Sequence, residues 1–148
     1  MSIRGAIIED LPDVMILADM MFHESRYSEV MDFDADKVAG LLTSLIAGRD
    51  GVLLVAEIGG EVVGLAAGWI AEATFSRALI FGEFGIYVHP EHRGGMTGPR
   101  LVKAWRDWGH KAGAVEGVAG ITTGVHNDTT ARLYEACGGK PIGPNFAF

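Results

Sequence analysis

Apolar residues along this chain switch between two rhythms, one suited to strands and one to helices. "SIRGAII" (residues 2–8) reads as a strand, after which Asp10 is predicted to cap a helix carrying Pro12 at its second position and Asp13 at N3. Val14, Leu17, Ala18 and Met21 share one face of that helix. "DADKVAGLLTSLIAG" (34–48) predicts a second helix, with Val38, Leu41, Leu42, Leu45 and Ile46 inward and Gly48 as its C-terminal cap. Three extended runs follow closely: "GVLLVAEIG" (51–59), "EVVGLAAGWIAEA" (61–73) and "RALIFGEFGIYV" (77–88). Gly59 and Gly60 suit a hairpin turn between the first two, so the three read as an antiparallel meander.

The middle run carries Gly64, Ala66 and Gly68 at period two, which leaves one face nearly bare for a helix or a ligand to approach. Further on, Leu101, Trp105 and Trp108 fall at i, i+4 and i+7 of a helix expected to start near Pro99 and end near Gly113. A strand "GVAGITTGVH" (117–126) and a short helix "DTTARLYEACG" (128–138) complete the pattern. No linker, charge block or low-complexity segment divides it, so residues 1–148 are expected to form one α/β domain.

Composition narrows the chemistry. A net charge of −7 lacks the broad basic face needed to grip phosphate backbones, so nucleic acid is not an expected partner. The most apolar helical stretch, "VMILADMMF", is interrupted by Asp19 and is short of a membrane span, and no signal-peptide-like run precedes it. A cytoplasmic protein without a membrane association is expected. The single cysteine, Cys137, reads as a small buried apolar residue. Glycine is the outlier at 21 residues, scattered without a period and therefore placed in turns and close approaches.

The densest glycine cluster lies in "HPEHRGGMTGPR" (89–100), between an extended run stopped by Pro90 and the Trp105 helix. Gly94, Gly95 and Gly98 allow successive backbone N–H groups to converge on one point, and a helix N-terminus adds its positive dipole end. Phosphate is the guest that such a turn suits, with Arg93 and Arg100 flanking it. The spacing matches neither GxxxxGK[ST] nor GxGxxG.

"VHPEHRG" (88–94) resembles the V-x-P-x-x-R-G signature of the GCN5-related N-acetyltransferases, the GNAT family. Asn127, Leu133, Tyr134 and Gly138 keep the spacing of that family's later motif, so the resemblance spans nearly the whole chain. It implies the acyl-CoA N-acyltransferase fold: a mixed, mostly antiparallel sheet of about six strands flanked by four helices and splayed between strands 4 and 5. It also implies acetyl-CoA as the cosubstrate and a primary amine, of a small molecule or a protein, as the acceptor. The backbone of Ile86 and Val88 would pair with the pantetheine arm as a strand does. The loop from Gly94 through Gly95, Met96 and Thr97 to Gly98, with Arg93 and Arg100, would hold the pyrophosphate, and Asn127 would bond the pantetheine or an adjacent loop. Met96 stands where the family has glycine, which makes this a shifted RGGxxG form. Only "GKPIGPNFAF" (139–148) follows the last helix, so the sheet edge is expected to be open or closed by a second copy in a homodimer.

An amine must lose a proton to attack a thioester, and the departing thiolate must gain one. Tyr134 is the expected acid, because a phenol stays protonated at neutral pH and matches the family's tyrosine. Glu83, among Phe81, Phe84 and Ile86, is the expected base, alternating on one face with Gly85 and Tyr87, with His126 in reserve. The stretch "FHESRYSEVMDFDAD" (22–36) carries Glu24, Glu29, Asp32, Asp34 and Asp36, which either attract a cationic amine or form a solvated acidic loop. Its "DFDAD" fails as a calcium loop because Lys37 and Thr43 stand where Gly and Glu belong, and no metal is expected. Met96 and the short C-terminal segment motivate a second reading, a relative that keeps the fold for binding or structure without catalysis. A module for another phosphate ligand, such as a nucleotide, is the third.

Overall fold

The computed structural model describes residues 1–148. Five strands form one sheet in the order β1-β2-β3-β4-β5: β1 (Ser2–Gly5), β2 (Gly51–Ile58), β3 (Glu61–Glu72), β4 (Leu79–Val88) and β5 (Glu116–Val118). The first four pair antiparallel, and β5 pairs parallel to β4. The expectation of about six strands is therefore corrected to five, because residues 139–148 add none. Four α-helices accompany the sheet: α1 (Leu11–Glu24), α2 (Ala35–Ile46), α3 (Thr97–Lys111) and α4 (Asn127–Ala136). None is long and apolar enough to cross a membrane.

Both faces of the central strands are covered, which is why β2 and β3 read as nearly unbroken apolar runs. On one face α1 and α2 bring Val14, Leu17, Leu42 and Leu45 against Leu53, Val55, Leu65 and Ala67. On the other, α3 lays Leu101 and Trp105 over Leu54, Ala56, Ala66 and Phe81. The bare face of β3 is used for this approach: a Cβ on Gly64 would stand 2.9 Å from Leu101, and one on Gly68 would stand 2.8 Å from Trp105. A helix rather than a ligand occupies that face. The Trp105 indole is thereby placed to donate to the Gly82 carbonyl at 3.1 Å.

Several local expectations change. Asp10 does not cap α1 with its side chain; its carboxylate accepts from the Ile7 amide at 2.8 Å and binds Arg4 at 2.7 Å. Helix α3 begins at Thr97 rather than near Pro99. Leu41 is exposed, because α2 turns Leu42 and Leu45 onto the sheet and leaves the adjoining position at the rim of a cavity. The strand expected over 117–126 shrinks to Glu116–Val118, paired only with Ile80–Gly82 of β4.

That short pairing creates the splay. The His89 amide donates to the Val63 carbonyl, so by the two-residue alternation of an antiparallel ladder Ile86 and Val88 turn their amides and carbonyls away from β3. β5 has already ended on that side. The upper half of β4 therefore has an unpaired edge facing the interior of the molecule.

Candidate active site

Two adjoining cavities occupy the splay. The larger, about 540 Å³, runs from the glycine loop along Ile86 and Val88 to α4. The smaller, about 390 Å³, lies between α1, α2, β4 and the segment Gly120–Thr123. Met21, Ser25, Ile86, Thr123, Thr130 and Tyr134 belong to both walls, so the two chambers meet there.

The loop that heads the larger chamber has the form expected of an anion nest. None of the amides of Gly94, Gly95, Met96, Thr97 and Gly98 donates a hydrogen bond within the protein; the first turn of α3 closes only with the Arg100 amide on the Met96 carbonyl at 3.0 Å. Gly94 holds φ +82, in the left-handed region, and a Cβ on either Gly94 or Gly95 would meet open space. Five consecutive free donors at a helix N-terminus fit a pyrophosphate. The Met96 side chain is 56% exposed, turned outward from the nest, so its departure from glycine leaves the amides clear.

The flanking groups are arranged differently from the sequence expectation. Arg93 grips Glu24 of α1 through two bonds of 2.9 and 2.8 Å, and its Nε donates to the Val88 carbonyl at 2.8 Å. That carbonyl is therefore engaged by Arg93, leaving the Ile86 backbone and the Val88 amide as the free edge. Tyr87 also donates to the Glu24 carboxylate. Arg93 holds the Glu24 carboxyl below the usual carboxylate range, and burial followed by Glu24 pushes the Tyr87 phenol up to about 12. Arg100 lies outside the chamber wall, with its guanidinium 3.4 Å from the Met1 carbonyl, because the fourth helical position points back toward β1. Asn127 is exposed at the first position of α4 and absent from the wall, where His126, Thr129 and Thr130 stand instead. Asn127 shares the helical face of Thr130 and Tyr134 but sits two turns before Tyr134, at the exposed end of α4 outside the wall.

Glu83 and Tyr134 do come together. A bulge in β4 interrupts the register, Gly85 facing Ala67 but Glu83 facing Gly68, with Phe84 as the extra residue. The alternation that would align Glu83 with Gly85 and Tyr87 is thereby broken, and both Glu83 and Phe84 join the wall of the smaller chamber. One Glu83 oxygen accepts from the Gly120 amide at 3.0 Å. Burial raises its carboxyl to about 7, with the Gly120 bond opposing. Burial and then the Glu83 charge hold the Tyr134 phenol well above its ordinary value, and no hydrogen bond contributes. His126, the reserve base, lines only the larger chamber, in a left-handed conformation near Glu24.

Glu24, Tyr87 and the Thr129–Thr130 pair escaped the sequence reading. Glu24 was visible only as one acid among several, and its partner lies 69 residues away. The "FHESRYSEVMDFDAD" acids do not gather at the smaller chamber either: Asp34 caps α2 through the Lys37 amide at 3.0 Å, and Glu29, Asp32 and Asp36 are exposed.

A splayed mixed sheet, an amide nest at the head of α3 and a paired cavity beneath it agree with the acyltransferase class expected from the sequence. Residues 14–139 match the Acetyltransferase (GNAT) family, and the chain belongs to it. The same fold occurs in a putative acetyltransferase from Agrobacterium tumefaciens str. C58, at 19% identity and TM-score 0.78 over 100% of this chain and 99% of that one. A ribosomal-protein-alanine N-acetyltransferase from Brucella melitensis biovar Abortus 2308 is similar at 18% identity and TM-score 0.75, over 100% and 99% of the two chains. The aminoglycoside N-acetyltransferase AAC(6')-Iy in complex with CoA is similar at 16% identity and TM-score 0.82, over 99% of this chain and 92% of that one. Comparison with curated proteins finds no match.

Proposed function

We propose that this acetyltransferase passes the acetyl group of acetyl-CoA directly to a primary amine, with the two substrates held side by side in the two chambers. The observation that carries the reading is the position of Tyr134 in the wall common to both. The free amides from Gly94 to Gly98 are suited to the pyrophosphate, and the Ile86 edge to the pantetheine arm. When bound, acetyl-CoA supplies an electrophilic thioester carbon.

Glu83 takes the proton that the amine must lose. A carboxyl near 7 is half ionised at neutral pH and is a far better base than an exposed one. Tyr134 donates to the departing sulfur. Before proton transfer the Glu83 charge disfavours ionisation of Tyr134, and that penalty vanishes once Glu83 is neutral. Proton uptake at Glu83 thus makes Tyr134 a stronger acid at the stage when sulfur leaves. The balance closes: an ammonium substrate first releases one proton to solvent, and the nitrogen then loses a second to Glu83 as the C–N bond forms and the C–S bond breaks. CoA sulfur gains one from Tyr134, and a proton passing from Glu83 to Tyr134 restores the resting state.

The test is CoA thiol release on an amine panel, run alongside thermal unfolding with and without CoA. Tyr134→Phe should lower kcat by about 10²-fold or more while CoA still raises the melting temperature as in the parent. A Phe variant as fast as the parent removes Tyr134 from the acid role. No stabilisation of the parent by CoA removes the nest from its role.

A further inference from the structure

The wall of the smaller chamber carries one charged side chain, Glu83, and no cation. Most of the rest is apolar or aromatic: Phe22, Tyr27, Phe33 and Phe84 ring it, with Leu41 and Leu42 from α2, and Ser25, Thr122, Thr123 and Thr130 add neutral hydroxyls. Phe22 and Phe33 pack with ring centroids 5.5 Å apart. The roof is held in place by Arg26, whose amide donates to the Thr123 carbonyl and whose Nε donates to that of Thr122, at 2.8 and 2.7 Å. Its guanidinium lies over the Tyr27 ring, 4.6 Å from the centroid, and is not part of the chamber wall.

From this lining we infer that the acceptor is a primary monoamine with an apolar, aromatic-sized body and no carboxylate or second cation. The inference rests on the acetyl-transfer reading above and specifies its acceptor. One carboxyl matches one amine. A second ammonium group would enter a chamber of about 390 Å³ with no second acid in its wall, and a substrate carboxylate would meet no cation in that wall while lying close to Glu83. Unpaired charges in such surroundings are strongly disfavoured, whereas an aryl or branched alkyl body gains by leaving water. Aromatic side chains on the wall add edge and face contacts to an aryl group. Because Ile86, Thr130 and Tyr134 are shared with the larger chamber, an amine seated here has its nitrogen end toward the thioester position.

The test measures kcat/KM by thiol release for 2-phenylethylamine, phenylalanine, spermidine and kanamycin, with acetyl-CoA saturating. 2-Phenylethylamine should exceed phenylalanine, which has the same body plus a carboxylate, by on the order of 10²-fold, and should also exceed both polycations. Spermidine, kanamycin or phenylalanine turned over as well as 2-phenylethylamine would overturn the acceptor class while leaving acetyl transfer intact. No turnover of any amine by a protein that CoA stabilises would overturn the catalytic reading and the inference together. A gain-of-function variant gives an independent readout. Leu41→Glu at the exposed rim adds a second acid, so it should shift preference toward a diamine such as cadaverine without altering stabilisation by CoA. An unchanged ratio of cadaverine to phenylethylamine turnover would count against the chamber as the acceptor site.

Discussion

Glu83→Gln should make the protein more stable at neutral pH and nearly inactive, and the size of the first effect follows from burial. The carboxyl rises from an ordinary 4.5 to about 7 in the folded protein, which corresponds to about 3 kcal/mol at 1.36 kcal/mol for each tenfold change. The folded value lies above the unfolded one, so between pH 4.5 and 7 the native state keeps a proton that the unfolded chain has released. Its contribution is therefore fully present below about pH 4.5 and is lost as pH rises to about 7. Glutamine keeps the oxygen that accepts from Gly120 but cannot ionise, and burial, the larger cause, still holds the Tyr134 phenol above its ordinary value once the Glu83 charge is gone. Urea unfolding of both proteins from pH 4.5 to 8.5 should show the stability difference widen by about 3 kcal/mol in favour of the variant, or about 6–12 °C in melting temperature. Loss of the base should lower kcat/KM by roughly 10²- to 10⁴-fold and abolish the rise in rate through pH 7. A stability difference that is the same at pH 5 and pH 8 would show that Glu83 does not carry the buried charge. A Gln variant retaining the wild-type acid limb would remove it as the base.

Other perturbations separate the loop from the core. Gly94→Val forces a β-branched residue into a left-handed conformation and sets a side chain beside the free amides, so KM for acetyl-CoA should rise by about 10-fold or more, measured by initial rates. Arg100→Ala, outside the chamber, should leave that KM close to wild type; a large rise would show that the guanidinium leaves Met1 to bind the carrier. Gly109→Ala should destabilise by about 1–2 kcal/mol in denaturant unfolding although alanine is the better helix former by about 1 kcal/mol, because its Cβ would lie 2.4 Å from the buried Phe81 ring.

The architecture was legible where it depends on neighbours in sequence. The Gly59–Gly60 hairpin, the helical face of α1, the small-residue face of β3 and the glycine nest all follow from local pattern and appear as expected. The failures depend on distant partners. The bulge at Phe84 is a mismatch of register with β3, and no residue of β4 by itself announces it. Arg93 looks like a free phosphate ligand until the fold brings Glu24 to it, Arg100 looks like a site residue until the fold sets it beside Met1, and Asn127 does so until the end of α4 leaves it exposed. Of the candidate site, the glycine run was legible in advance, whereas Glu83 and Tyr134 were named separately and only the fold brings them to one wall. The apolar acceptor chamber could not, because its lining is gathered from α1, α2, β4 and a segment after β5.

The common wall between the chambers divides this protein into parts that can change at different speeds. The proposed carrier side draws on main-chain geometry after β4 and on α4, whereas the proposed acceptor side draws nine of its 21 lining residues from α1, α2 and the stretch joining them. Substitutions at Phe33, Val38 or Leu41 can reshape the pocket for a new amine without touching the donor grip, so new selectivities are within reach of a few side-chain exchanges. The Glu24–Arg93 clasp is the exception, because it fastens α1 to the donor loop and any remodelling of that helix end would be felt on both sides.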